Sequence, residues 1–182
     1  MRKREKRRLL FVTFFVVLIL LCGTVAAYMF KQTEYEANQF TPAEVSCQVH
    51  EVTDAGVTQK SSITVENTGN INAYLRIRLV SYWVQVTEEG QVEIAPKASV
   101  MPVVNVAEGW IKGTDHTYYY QSPVAPDDFT GELLSSPIVL AEEEGYLQVV
   151  EVFAEAIQSE PERAVVNSWG VSLDEDVITT AP

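Results

Sequence analysis

From Glu44 onward the chain alternates apolar and polar residues with a period of two, the signature of strands that bury one face. Val45, Cys47 and Val49 point one way, with Ser46, Gln48 and His50 the other. Asp54-Ala55-Gly56 is a turn signal, and 58–66 repeats the alternation with Ile63 and Val65 inward. Asn67-Thr68-Gly69-Asn70 turns the chain again before its longest regular stretch, 71–86. There Ala73, Leu75, Ile77, Leu79 and Trp83 share one face, and Tyr74, Arg76, Arg78, Tyr82 and Val84 share the other. A helix would gather Leu75, Leu79 and Tyr82 but scatter Ile77 and Trp83, so the strand template fits better.

Glu88-Glu89-Gly90 closes that strand. Residues 100–106, interrupted by Pro102, read as an edge or irregular strand, because proline cannot donate to a ladder. Short apolar or aromatic segments at 109–111, 117–121 and 137–140 are separated by turns rich in Pro, Gly and Asp. Residues 146–157 are almost continuously apolar, broken by Glu151 and Glu155, which suits a central strand. A helical turn is expected around 162–169, and 173–182 (LDEDVITTAP) reads as a frayed, flexible tail. Seven to nine short strands at this spacing predict an all-β domain over 44–172, a β-sandwich of jelly-roll or immunoglobulin-like type.

The first thirty residues follow a different pattern. Residues 9–30 are 22 residues without a charge, and a bilayer core needs about 20 helical residues. The basic cluster before them would stay in the cytoplasm and send the rest outside. Residues 1–27 are thus a signal peptide or a membrane anchor. Leu9–Leu21 serves as the apolar core of a signal, and the small residues of Thr24-Val25-Ala26-Ala27 place a cut between Ala27 and Tyr28. Cys22 does not suit a lipoprotein signal, because the bulky Leu21 precedes it. Residues 28–43 are polar with isolated aromatics (Tyr28, Phe30, Tyr35 and Phe40), the pattern of an arm leading into a domain.

Charge sharpens this division. The net charge is −12, but residues 1–8 carry +5 and everything from Lys31 carries −17. An acidic folded part repels phosphates, so nucleic acid is not an expected partner. After removal of a signal, Cys47 is the only cysteine left, so no disulfide framework holds the domain. Its place on the apolar face of an alternating strand predicts burial.

Candidate chemistry is sparse. His50-Glu51 begins like the HExxH zinc motif, but Asp54 stands at the second histidine position, and a strand does not bring i and i+4 together as a helix does. His50 and His116 read as surface or turn histidines. No serine is marked out by GxSxG, and no phosphate-binding glycine loop occurs. The acidic runs 127–128, 142–144 and 174–176 lack the alternating spacing of a calcium loop and read as solvated turns. Arg76 and Arg78 are expected to pair with acidic neighbours on adjacent strands or to form a docking surface with tyrosines. No catalytic, cofactor-binding or metal-ligating residue is expected, and the chain does not read as an enzyme.

Four segments carry a resemblance to a family: GTVAAY (23–28) after the apolar run, NQFTPAEVSCQV (38–49), VENTGNINAYLRIRL (65–79), and LQVVEVFAEAIQ (147–158) before NSWG. In these the chain resembles exported proteins of the TasA/camelysin type from Gram-positive bacteria, which carry SipW-dependent signal peptides. The most specific parts are the strand lead-in with Asn67, Gly69, Asn70, Ala73, Tyr74 and Arg76, and the signal end at Ala27/Tyr28. The resemblance implies a jelly-roll-like sandwich, removal of the signal by a dedicated peptidase, and a role in extracellular biofilm-matrix fibres. It implies as partners other copies of the chain or homologous fibre subunits, with the freed arm adding as a strand to the next subunit. The protease attribution in camelysin's name is not carried over, because the motif that would support it is broken here. The alternative is a single-pass membrane-anchored ectodomain that binds a partner at the cell surface.

Overall fold

The computed structural model describes residues 6–8, 12–14, 16, 41–54, 56, 58–87 and 90–182. Ala27, Tyr28, Phe30, Tyr35 and Phe40, and with them the cleavage site and most of the arm, lie outside the described residues. The chain divides into two compact units, Met1–Pro42 and Ala43–Pro182. No helix of the described residues is long and apolar enough to cross a membrane.

The second unit is all-β apart from one short helix. Its strands are β1 (Cys47–Thr53), β2 (Gln59–Asn67), β3 (Ala73–Val86), β4 (Val92–Ile94), β5 (Trp110–Lys112) and β6 (Thr117–Tyr120). They continue with β7 (Ile138–Val139), β8 (Glu142–Glu143), β9 (Tyr146–Gln158), the helix α1 (Arg163–Trp169), β10 (Ser172–Asp174) and β11 (Val177–Thr180). The strands form antiparallel sheets ordered β1-β2-β7, β5-β6-β3-β9-β8 with β4 also on β3, and the hairpin β10-β11.

Period-two alternation explains the main core. The inward positions of β2 (Ile63, Val65), β3 (Leu75, Ile77, Leu79) and β9 (Val150) meet Trp110, Tyr118, Leu133 and Ile138 in one cluster. Ile63, Val65, Leu75 and Ile77 are fully buried, each worth about 1.5–3 kcal/mol over an exposed position. Cys47 and Val49 of β1 pack against this cluster from its margin.

The opposite face of β3 does not simply meet water. At its start Tyr74 is fully buried in a second cluster with Tyr119, Val165, Trp169, Val171 and Ile178. A helix as short as α1 is marginal alone. It is held by burying Val165 and Trp169, four residues apart on one face. Gly170 ends it in the left-handed conformation (φ 69°), its N–H donating to Val166 O at 2.9 Å.

Three sequence expectations need correction. Residues 173–182 are not a frayed tail: they supply most of the hairpin β10-β11, and Ile178 is fully buried. The Ile178 N–H donates to Gln121 O (2.8 Å) and Tyr74 Oη donates to Asp176 O (2.8 Å), so the hairpin is stitched to the sheet. Residues 100–106 form no strand beyond one bridge, Val106 to Leu134. Last, β9 is central only at its start. It pairs with β3 along its whole length, but among the described residues its other side pairs with β8 alone, at Tyr146 and Leu147.

Candidate strand-acceptor groove and the base of the arm

The turn Asn67–Asn70 holds the segment that leads into β1. Asn67 is fully buried, an expensive place for an amide unless all its polar atoms are paired. Its Nδ2 donates to Ile71 O and Val124 O (both 2.8 Å), and its Oδ1 accepts the Gly69 N–H at 3.0 Å. Gly69 lies against the incoming chain so closely that a Cβ there would stand 2.4 Å from Glu44 O. Asn70 then grips Glu44 twice: its Oδ1 accepts the Glu44 N–H at 2.7 Å, and its own N–H donates to Glu44 O at 3.1 Å. Thr68 N–H donates to Ser46 O at 3.1 Å, and the two hydroxyls of Ser46 and Thr68 are 2.9 Å apart. The chain is therefore anchored at residues 44–46, just where it emerges from the arm.

The rest of the singled-out strand is structural in the same sense. Ala73 is fully buried and exchanges two backbone bonds with Val124 (3.0 and 2.8 Å). Tyr74 reaches the C-terminal hairpin. Arg76 pairs with Glu155 on β9, directly opposite in register, at 2.6 Å, and lies over the Trp169 ring, 4.7 Å from its centroid. The expected cross-strand pairing is thus realised for Arg76, whereas Arg78 faces Phe153 and is exposed with no ion pair among the described residues.

Downstream of the clamp, β1 is an edge strand among the described residues, where its one ladder is with β2. From Val149 to Gln158 one side of β9 is likewise without a ladder partner among the described residues. These edges border a groove of about 560 Å³, with Val49, Glu51 and Thr53 on one side and Val149, Val150, Glu151 and Val152 on the other. Leu140, Tyr82, Lys60 and Asp54 complete its lining. Two edges without a further ladder among the described residues are what an added strand requires.

Lys60 gives this groove its polar end. A bulge between Val52 and Thr53 shifts the register, so Lys60 becomes buried beside Leu140 and Thr53. Its Nζ donates to Glu51 Oε2 at 2.6 Å; the lysine side chain is 5% exposed, the glutamate 41%. At the mouth, the Asp54 carboxylate accepts the Gln59 and Thr58 N–H groups and the Thr58 hydroxyl (2.7–2.9 Å). These bonds, led by that from Gln59, hold its pKa below the usual carboxylate value.

The other chemistry-bearing side chains are elsewhere. His50 Nε2 is 2.7 Å from Glu66 Oε2 and its ring packs edge-on against Phe129. His116 sits exposed in the β5–β6 turn with positive φ (56°). Cys47 is half-buried and free; burial, and then the charge of Glu155, push its thiol pKa up, away from reactivity. Among the described residues no three His, Cys, Asp or Glu side chains are grouped to hold a metal ion.

The groove was not readable as a site from sequence: its signature is missing ladder bonds, which no residue type announces. The one available signal was Lys60, a charge near the start of an otherwise alternating strand. No family model matches the chain, and neither a curated protein nor a solved structure matches it.

Proposed function

We propose that this protein is an exported structural subunit that assembles non-covalently into extracellular biofilm-matrix or surface fibres. Its folded unit is taken as a jelly-roll or immunoglobulin-like sandwich, and the arm 28–43 of one copy adds as a strand to the next. The supporting observation is the pair of open edges, β1 and β9, on either side of one groove. An extended segment laid there gains main-chain hydrogen bonds from either edge, and its alternate side chains meet Val49, Val150, Val152 and Leu140. The clamp at Glu44 supports the same reading, since a donor arm works only if its root is fixed to the subunit that carries it.

Deleting residues 28–42 tests this. The variant is expected to stay folded, with an unchanged denaturation midpoint, and to lose polymers in electron microscopy and sedimentation. Polymerisation at the parental level would refute the donor role. The second reading, a membrane-anchored ectodomain, rests on the 22-residue uncharged run. Intact mass of the protein from the cell surface and medium separates the two: a chain beginning near Tyr28 has a free arm, and one retaining residues 1–30 does not.

A further inference from the structure

Among the described residues, the outward face of β3 and β9 is covered at its Tyr74 end and again at Val84, which is 8% exposed, and is open between them and along β4. At the first of these, Tyr74, Ile157 and Arg76 pack against residues of α1 or the C-terminal hairpin, with Glu155 exposed beside Arg76. Beyond them the register continues as Arg78 beside Phe153, Val80 beside Glu151, Tyr82 beside Val149 and Val84 beside Leu147, with Ile94 and Val92 of β4 flanking Val84 and Val86. Phe153 is 47% exposed and Val80 37%, rising to 56% at Val86, 66% at Val92 and 73% at Ile94. A contiguous apolar sheet face of this kind marks an interaction surface on a soluble domain.

Its charges indicate what covers it. The two charged side chains on this stretch of β3 and β9 are one cation, Arg78, and one anion, Glu151. They occupy diagonal positions of a four-residue square whose other corners are Val80 and Phe153, and they form no ion pair among the described residues. One step along the same face, Arg76 has a glutamate directly opposite and an indole on top. Arg78 has neither. A partner suited to this face brings apolar side chains plus an acid for Arg78 and a base for Glu151, in the same diagonal spacing. A second copy of the face, turned over, supplies that set.

We infer that this face is a self-complementary interface at which two copies of the chain dock, Arg78 of each meeting Glu151 of the other. A two-fold axis in the interface plane that exchanges Arg78 and Glu151 runs along the other diagonal, through Val80 and Phe153. Those two side chains therefore meet their own counterparts, and the strands of the two sheets cross steeply rather than align. This contact does not use the arm, although Glu151, Val149 and Tyr82 also line the rim of the groove, and it would join fibres or subunits side by side.

The test is site-directed disulfide cross-linking of the full chain on the producing cells, in a Cys22→Ser, Cys47→Ser background. Phe153→Cys and Val80→Cys are expected to give cross-linked dimers under mild oxidation, and Ser122→Cys, exposed in a loop away from this face, to give none. Adding Arg78→Glu or Glu151→Arg alone should lower the Phe153→Cys dimer by about tenfold or more, because each places two like-charge pairs in the contact. The double exchange should restore it. Both charged residues are exposed, and an unchanged denaturation midpoint in each variant separates lost docking from lost folding. Absence of self-cross-linking at Phe153, or failure of the double exchange to rescue it, overturns the inference. So does loss of the cross-link when residues 28–42 are deleted, which would assign the contact to arm-driven assembly.

Discussion

The guanidinium of Arg76 lies 4.7 Å from the centroid of the Trp169 ring while its Nη2 is 2.6 Å from Glu155. One side chain thus joins β3, β9 and the helix that crosses them. Trp169 also meets Tyr119 edge-on at 5.8 Å, so the indole is packed on two sides. Trp169→Ala is expected to cost about 3–5 kcal/mol. Arg76→Lys keeps the charge but loses the planar stack and the two-nitrogen contact with Glu155, at about 1 kcal/mol. Denaturant unfolding of both variants checks the ratio; no measurable cost for Arg76→Lys would mean the charge, not the stacking, holds the helix down.

Gly69→Ala places a methyl 2.4 Å from Glu44 O, and that obstacle is backbone, not a flexible side chain. The turn must shift, at a cost of about 1–3 kcal/mol, and the Asn70–Glu44 bonds lengthen. Amide exchange at Glu44 and Asn70 should accelerate well before the rest of β3 does. Exchange that rises uniformly would place the damage elsewhere.

Tyr74 makes stability depend on alkaline pH. Burial first, then the negative charges of Asp176, Glu162 and Glu160, push its pKa from the ordinary 10 up to about 12. In the unfolded chain the phenol ionises near 10, so between pH 10 and 12 the unfolded state has lost a proton that the folded state keeps. Stability is then full below pH 10 and falls as pH rises toward 12, by up to about 1.4 kcal/mol per pH unit. Urea midpoints measured at pH 9, 10, 11 and 12 should show this decline. Tyr74→Phe, less stable at pH 9, should have a shallower slope; an identical slope would remove Tyr74 as its source.

Glu51 and Lys60 should respond unequally to mutation. Glu51→Gln leaves the Lys60 ammonium buried without its counter-charge, an expected loss of about 2–3 kcal/mol given the partial exposure of Glu51. Lys60→Met removes the buried charge and keeps the volume, with a change within about 1 kcal/mol. Thermal or chemical unfolding distinguishes them, and a larger loss in Lys60→Met would contradict this view of the pair.

Strand positions were legible where burial is one-sided. Ile63, Val65 and the odd positions of β3 could be placed by alternation alone, because a one-residue slip would have turned them all to water. The C-terminal hairpin was not, because its turn is built from Glu175 and Asp176, both at positive φ (47° and 64°), in place of the Asn-Gly or Asp-Gly pair that announces such a turn. A run reading Leu-Asp-Glu-Asp therefore looked like solvated chain, although Ile178 two residues later is core. The apolar character of β9 was rightly read as burial, and as centrality it holds where β9 lies between β3 and β8. Its inner side chains serve the main core and Ile157 the second one, while most of one edge has no ladder among the described residues. Of the candidate site, Asn67, Gly69 and Asn70 were visible as a turn. Their grip on Glu44 was not, since contacts between residues more than twenty positions apart leave no periodic trace.

That grip determines how the domain bears load. A pull on the chain ahead of residue 43 is opposed at Glu44 by two hydrogen bonds with Asn70 before the β1–β2 ladder is stretched. Asn70 stands at the threshold of β3, whose thirteen register pairs with β9 run the length of the largest sheet. Tension is thus spread along the longest strand pair in shear, instead of unzipping the short edge strand one bond at a time.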